Sequence, residues 1–274
     1  QFMEPSDFIY KVKSHKIKTK KSFGQNFIYN KGILTKIVNK SKINEKINVL
    51  EIGPGPGGLT RAILKANVDQ VFVIEKDKEL LPILIDLKNE FPNRLNIIFK
   101  DALKFDINSL GKHPFKIISN LPYNISNVLL MKWLTSDLYM SSCISLTLMF
   151  QKEVAERIVA KTGSSKRSRI SLITELYTNP KLLFNVAVGS FIPKPKVSST
   201  LVYFEILKKP RYKINKDRFK IIIEAAFTQK RKMIRSSLKN IFPNIKYALE
   251  EAGIEETQRP QSIDLKSFCK LSLI

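Results

Sequence analysis

Val49-Leu50-Glu51-Ile52-Gly53-Pro54-Gly55-Pro56-Gly57-Gly58-Leu59-Thr60 is the stretch on which the fold turns. An apolar, β-branched run enters a glycine-rich loop, and the residues after it take up helical spacing. A strand, a glycine loop and a helix in that order bring bare backbone against a nucleotide. Outward from this stretch the alternation continues. Apolar runs at 47–52, 71–75, 95–99, 116–119 and 144–150 are separated by amphipathic segments such as 59–66, 78–91 and 126–134. Runs apolar at nearly every position belong to strands buried on both faces, so the spacing predicts a parallel sheet flanked by helices. Two later runs, 182–188 and 200–207, follow a helix-rich stretch and are expected to give the sheet an antiparallel end. The fold class expected is α/β.

Lys208-Lys209-Pro210-Arg211 is charged and carries a proline, which marks a domain boundary. Beyond it the periodicity is helical. Phe219, Ile222, Ile223, Ala226 and Phe227 recur at helical spacing, and Met233, Ile234, Leu238 and Ile241 continue the pattern. The expected parts are a basic N-terminal arm over 1–22, a large domain over 23–207 and a small helical domain over 208–274. Gln1 and Phe2, ahead of Met3, read as a cloning remnant.

The formal net charge of +23 narrows the partners. A compact chain with that excess attracts a polyanion and gains affinity by releasing its condensed counterions. An AT-rich genome inflates lysine and accounts for part of the excess, but not for its clustering. Lys11, Lys13, Lys16, Lys18, Lys20 and Lys21 make the arm basic, and Lys230, Arg231, Lys232, Arg235 and Lys239 form a second cluster. Drawn as one helix, Arg231, Arg235 and Lys239 fall on one stripe, with Met233, Ile234, Leu238 and Ile241 available to face the core. Nucleic acid is favoured over a membrane surface, because no strongly amphipathic lipid-facing helix accompanies the arm. No run approaches the roughly 18 apolar residues of a membrane span, and no signal-peptide pattern opens the chain. Two cysteines, Cys143 and Cys269, and two histidines, His15 and His113, supply neither a disulfide framework nor a metal cluster. A cytoplasmic monomer without a metal is expected.

Glu75 ends a strand about 20 residues beyond the glycine loop, where an acid can accept from two ribose hydroxyls. The loop lacks the Gly-Lys-Ser/Thr of a P-loop, since Gly58 is followed by Leu59-Thr60, and Pro54 and Pro56 stiffen it unlike a dinucleotide loop. Glu51-x-Gly53-x-Gly55-x-Gly57 resembles the opening motif of Rossmann-like methyltransferases. The cofactor this implies is S-adenosylmethionine, which has no phosphate; Gly53 and Gly55 would allow close approach to its methionine and ribose portions. Lys100-Asp101-Ala102 follows the third strand, where the carboxylate can accept from the cofactor's adenine amine. Taken alone, Asp101 would be a helix cap or turn residue.

Asn120-Leu121-Pro122-Tyr123 follows the fourth strand. Variants of Asn/Asp-Pro-Pro-Tyr mark methylation of planar exocyclic amines. The N6 lone pair of adenine is delocalised into the ring, so the amine is a poor nucleophile. The Asn120 side-chain oxygen and the Leu121 carbonyl can accept its two protons and direct the lone pair, which is positioning and electrostatic preorganisation, not base catalysis. Pro122 sets the turn and brings no competing N–H. Tyr123 offers a face on which a splayed-out base can stack.

From Phe23 onward the chain resembles the ribosomal RNA adenine dimethyltransferase family. The resemblance rests on Phe23-Gly24-Gln25-Asn26-Phe27-Ile28, the glycine loop, Asn120-Leu121-Pro122-Tyr123-Asn124-Ile125-Ser126 and Gln151-Lys152-Glu153-Val154-Ala155-Glu156-Arg157. It continues through Phe191-Ile192-Pro193-Lys194-Pro195-Lys196-Val197 and Ala225-Ala226-Phe227-Thr228-Gln229-Lys230-Arg231-Lys232. It implies a Rossmann-like class I methyltransferase sheet with a small C-terminal helical domain. Gln25, Asn26 and Ile28 would line the methionine end of the cofactor, Gly53, Glu75, Asp101 and Asn120 match the remaining cofactor contacts, and Phe191 would back the target base. The segments around Glu153 and Lys230 resemble the housekeeping branch, which dimethylates two adjacent adenosines in the 3′-terminal hairpin of small-subunit rRNA during ribosome biogenesis. The implied partner is that rRNA or the immature small subunit. Two segments depart from the pattern: Val197-Ser198-Ser199 stands where Val-Asp-Ser is usual, and Arg167-Ser168-Arg169-Ile170-Ser171 where Tyr-Gly-Arg-Leu-Ser is usual. The rival readings are a non-enzymatic nucleic-acid binder on the same scaffold and a DNA adenine methyltransferase. A binder has no use for acceptors aimed at an amine, and the helix after 225 favours rRNA over DNA.

Overall fold

The computed structural model describes residues 25–44, 46–136 and 142–274. The basic arm over 1–22, with its six lysines and His15, lies outside the described residues, as does the Phe23-Gly24 start of the first family motif. The chain divides into two compact units, one running up to Ala155 and including Lys181–Ile206, the other comprising Glu156–Pro180 and Leu207–Ile274.

The elements begin with β1 (Phe27–Ile28), α1 (Lys31–Lys40), β2 (Asn48–Ile52), α2 (Gly58–Lys65), β3 (Val71–Glu75), α3 (Leu81–Glu90) and β4 (Leu95–Phe99). They continue with β5 (Phe115–Ser119), α4 (Tyr123–Thr135), β6 (Cys143–Gln151), α5 (Lys152–Ile158), α6 (Arg169–Tyr177), β7 (Thr178–Val186), β8 (Phe191–Ile192) and β9 (Ser199–Ile206). Seven strands form one sheet in the order β4-β3-β2-β5-β6-β9-β7. β2 pairs in parallel with β3 and β5, β3 with β4, and β5 with β6. β9 runs antiparallel to β6, with Leu148 opposite Val202, as the later runs predicted. Every residue of β2 and β5 is buried, which is why their sequences show no alternation. β7 departs from the expected 182–188 by beginning at Thr178 and taking in Pro180. It is an edge strand, where a missing N–H costs no ladder bond.

The helices cover the sheet with one apolar face each. α2 buries Leu59, Ala62, Ile63 and Leu64, and α3 buries Ile83, Leu84 and Leu87. With Val49, Val71, Val73, Ile118 and Met149 from the strands, the α2 residues and Leu87 form one core cluster. Truncating a fully buried member such as Ile63 to alanine costs about 2–5 kcal/mol, the transfer loss plus the cavity left behind.

The second unit adds α7 (Lys216–Thr228), α8 (Ile234–Leu238), α9 (Ile245–Ala252) and α10 (Leu265–Leu271). Residues 156–180, expected with the large domain, belong to this unit instead. Their polar bonds close on themselves and on the C-terminal segment: Thr174 donates to the Ile158 carbonyl, Gly163 N–H to Gln261, and Leu207 N–H to Tyr177. Arg167, fully buried, donates to the Ala160 carbonyl at 3.0 Å. Its other terminal nitrogen lies 2.9 Å from a Glu175 oxygen, close enough for an ion pair though poorly aligned for a hydrogen bond. The first Arg of the departing segment is therefore a structural residue of this unit.

α7 buries Phe219, Ile222, Ile223 and Ala226, as the periodicity predicted. The single basic helix does not form. α7 ends at Thr228, a turn follows in which Lys232 N–H donates to the Gln229 carbonyl, and α8 is only Ile234–Leu238. Lys230-Arg231-Lys232 places three like charges side by side with no apolar group to bury, so nothing favours continuing the helix there. Arg231 thus leaves the stripe it was expected to share with Arg235 and Lys239. Ile234 and Leu238 are buried and Ile241 half-buried, but Met233 is 42% exposed and is not a core residue. Among the described residues no helix is long and apolar enough to cross a membrane, and no group of three or more His, Cys, Asp or Glu side chains could hold a metal ion.

Candidate active site

The neighbours of β2 and β5 diverge from the pair, β3 on one side and β6 on the other, which makes their junction the topological switch point of the sheet. Ligands of open α/β sheets bind beyond the carboxyl ends of the strands at such a point. Gly53, Glu75, Asp101 and Asn120 occupy the ends of β2, β3, β4 and β5, so four sequence-distant residues meet there for one topological reason. The cleft they share has about 930 Å³ of empty space, part of it open solvent. Gln25, Asn26, Ile28, Gly53, Gly55, Glu75, Asp101, Ala102, Asn120, Leu121, Pro122 and Tyr123 all line it.

The N-terminal motif reaches the cleft through β1. Phe27 and Ile28 pair antiparallel with Ile192 and Phe191 of β8, and Gln25 Nε2 donates to Asp77 Oδ2 at 3.1 Å. The motif at 191–197 thus holds down the segment that covers the site. Phe191 is fully buried in the core cluster, so it supports β1 and does not back a bound base.

The loop glycines answer first to the protein. Gly53, Gly55 and Gly57 have φ of 65°, 57° and 83°, the left-handed region that a side chain disfavours. A Cβ on Gly55 would lie 2.5 Å from the Phe27 ring, and one on Gly57 2.7 Å from Leu87. The close approach expected toward a cofactor is, at Gly55, an approach of the protein's own Phe27.

Glu75 is buried, and its Oε1 accepts from the Lys76 and Asp77 N–H groups, each at 2.8 Å. Burial raises its pKa above the usual carboxylate value, against the opposing pull of these backbone bonds. A carboxylate offers about four acceptor sites, so capacity remains for hydroxyl donors. Asp101 is both things the sequence allowed. It caps the turn at 102–104 by accepting from Leu103 N–H at 2.9 Å, and it lines the cleft, with Lys76 Nζ 3.7 Å from Oδ2.

Asn120 is held from one end. Its Nδ2 donates to the Asn26 carbonyl at 2.7 Å, which fixes the amide's orientation, because only the NH₂ can donate. Its Oδ1 is shielded from solvent and has no hydrogen-bond partner among the described residues. An orphaned acceptor at a strand end is costly and marks a place for a donor from outside. Leu121 is buried and Pro122 begins α4, the turn giving Ser126 N–H to the Pro122 carbonyl. Tyr123 is half-buried, with its hydroxyl 2.5 Å from that of Ser199.

Sequence reading passed over Glu51 as a site residue. It lies inside the apolar strand, 2% exposed, and accepts from the Thr60 hydroxyl at 2.6 Å. Burial, more than the nearby Glu75 charge, pushes its pKa up to about 8. The available signal was an acid within Val49-Leu50-Glu51-Ile52 where every neighbour is apolar. Phe27 was also missed, because its role appears only when Gly55 is seen against its ring.

The basic cluster belongs to the second unit. Lys230, Arg231, Lys232, Arg235 and Lys239 are all exposed. Lys230 Nζ donates to the Ser165 carbonyl at 3.3 Å, and Arg235 lies 3.7 Å from a Glu256 oxygen.

The cleft suits a phosphate-free nucleoside carrying positive charge. Glu75 and Asp101 are acidic acceptors, matching hydroxyls and an amine on a cationic ligand, and the loop over 53–60 holds no lysine for a phosphate. These residues fit S-adenosylmethionine.

Comparison with known proteins agrees. The model of the ribosomal RNA adenine dimethylase family matches residues 16–274. Ribosomal RNA small subunit methyltransferase A of Cereibacter sphaeroides is 42% identical over 261 residues, 95% of this chain and 94% of that protein. The protein of the same description from Ruegeria sp. is 40% identical over 261 residues, 95% of this chain and 93% of its own. Among solved structures, a dimethyladenosine transferase from Plasmodium falciparum matches with a TM-score of 0.76 at 29% identity, covering 90% of this chain and 96% of that one. The 23S rRNA methyltransferase ErmE shares the fold with a TM-score of 0.69 at 23% identity, covering 90% and 98%. Matched across almost its whole length, this chain belongs to the ribosomal RNA adenine dimethylase family.

Proposed function

We propose that this chain transfers methyl groups from S-adenosylmethionine to N6 of two adjacent adenosines in the 3′-terminal hairpin of small-subunit rRNA, dimethylating each during ribosome biogenesis in the cytoplasm. The observation that carries the reading is the Asn120 side chain, anchored through Nδ2 on Asn26 and leaving Oδ1 without a partner among the described residues. A relative described as a small subunit methyltransferase, 42% identical over 95% of the chain, supports the choice of substrate.

When bound, the cofactor supplies an electrophilic sulfonium methyl group. Glu75 accepts from the ribose hydroxyls and Asp101 from the adenine amine of the cofactor. Gly53, Gly55 and Ala102 form the surface beneath it, and Gln25, Asn26 and Ile28 close over the methionine end. Asn120 Oδ1 and the Leu121 carbonyl accept the two N6 protons of the target adenine, so its lone pair points along the line of attack. Pro122 offers no competing N–H, and Tyr123 stacks on the extruded base. No side chain acts as a base: the acceptors orient the amine, each N–C bond forms as the methyl–sulfur bond breaks to leave S-adenosylhomocysteine, and one proton passes to water for each methyl gained. A monomethylated amine retains one N–H, which either acceptor can hold for the second transfer. The first unit acts as the catalytic domain. Lys230, Arg231, Lys232, Arg235 and Lys239 of the second contact RNA phosphates, which position the substrate without reading its sequence. The enzyme acts as a monomer.

The test is incubation with labelled S-adenosylmethionine and immature small subunits, followed by mapping of the modified nucleotides. Two adjacent N6,N6-dimethyladenosines near the 3′ end are expected. Label confined to large-subunit rRNA or DNA, or cofactor binding without any transfer, refutes the reading.

A further inference from the structure

Tyr123 and Ser199 lie 76 residues apart in the sequence, and their hydroxyls share a hydrogen bond at 2.5 Å. Ser199 is fully buried at the start of β9, opposite Gln151 in the β6 ladder, and its backbone is part of the sheet. Lys152 N–H donates to the neighbouring Ser198 carbonyl at 3.0 Å, tying this strand end to the end of β6. Tyr123 is the first residue of α4, lines the cleft and is half-buried. Its ring is therefore tethered at both ends: by its own backbone at the helix start, and by its hydroxyl on a rigid strand. The resting position of an aromatic ring at a helix start is otherwise set by χ1, which can swing between staggered wells. A bond at the far end of the ring selects one well and so fixes where the ring lies in the cleft.

We propose that Ser199 is a positioning residue for methyl transfer, holding the Tyr123 ring in the place where the target base stacks. The inference rests on the reading of Tyr123 as the stacking residue. Ser199 touches neither cofactor nor base. It acts through the tyrosine, and Val197-Ser198-Ser199 thereby serves the site through its last hydroxyl.

Breaking one hydrogen bond that orients a reacting group is expected to lower kcat about tenfold. Ser199→Ala and Tyr123→Phe each remove the same bond, so each should show that loss, and the double variant should lose no more than either alone. Affinity for S-adenosylmethionine, read by calorimetry, should stay within about twofold in all three, since only the base-facing ring is released. Tyr123→Ala, which removes the stacking face itself, should fall well below them. The assay is single-turnover methylation of immature small subunits. Wild-type kcat in folded Ser199→Ala or Tyr123→Phe overturns the proposal, as does multiplicative loss in the double variant or a parallel loss of cofactor affinity. If Ser199→Ala fails to fold, Tyr123→Phe decides alone, since it breaks the bond from the solvent-accessible side. If Tyr123→Ala also keeps full activity, the fault lies in the assignment of Tyr123; if only the tether variants do, the fault lies with Ser199.

Discussion

Asn120→Ala separates orienting the amine from holding the cofactor, and the structure gives each loss a size. The side chain removed carries two functions. Its Oδ1 has no partner among the described residues, so its free-energy contribution is made when the N6 amine arrives. Removing one preorganised polar group aimed at a reacting centre costs roughly 10²–10³ in kcat, about 3–4 kcal/mol. Its Nδ2 bonds the Asn26 carbonyl at 2.7 Å and helps hold the segment over the methionine end. Losing that neutral bond costs about 1 kcal/mol, a fall of about fivefold in cofactor affinity. Methyl transfer should thus suffer at least about 20 times more than cofactor binding. Single-turnover transfer to immature subunits at saturating cofactor measures the first quantity and calorimetry the second. A variant with kcat within about threefold of wild type, or one whose affinity falls as far as its kcat, would falsify the orienting role.

Glu75→Gln keeps an acceptor for the Lys76 and Asp77 N–H groups while removing the charge, so cofactor affinity should fall about tenfold with little change in Tm; Glu75→Ala should lose both, and unchanged calorimetric affinity in either variant would mean the ribose lies elsewhere. Glu51 titrates near 8 in the folded chain and near 4.5 as a free side chain, so the folded state holds a proton that the unfolded state releases between those values. Its contribution to stability is therefore full below about pH 4.5, declines as pH rises and is gone above about 8, a span of at most about 5 kcal/mol. Glu51→Gln, a stand-in for the protonated acid, should flatten the Tm–pH curve of the cofactor-free protein across that window, and parallel curves for the two proteins would rule this out. Replacing Arg231, Lys232 and Lys239 with alanine should raise the KM for subunits and flatten its salt dependence by about two units of log–log slope, leaving cofactor affinity unchanged; an unaltered slope would make these side chains an ordinary solvated surface.

The sequence alone determined the parts of this protein that are written in contiguous residues. Strands buried on both faces are apolar at nearly every position, so β2 to β6 were legible from composition and turn signals. The ends of four strands carried their own chemistry in Gly53, Glu75, Asp101 and Asn120, and their order after successive strands, with the family resemblance, assigned them to one cofactor. Tertiary structure alone decided what depends on which surfaces meet. Phe191 reads the same whether it packs behind β1 or against a ligand, and only the pairing with Ile28 puts it in the core. Gly55 read as room for a cofactor alone, and only the structure shows that its missing side chain also makes room for Phe27, since steric exclusion acts between residues far apart in sequence. The Asn120 amide gained a direction only from the Asn26 carbonyl, and the Tyr123 ring a fixed position only from Ser199. The basic stripe failed for the converse reason. Helical spacing is a property of sequence, but a helix lasts only where its apolar face finds a core, and from Gln229 to Lys232 there is none to bury.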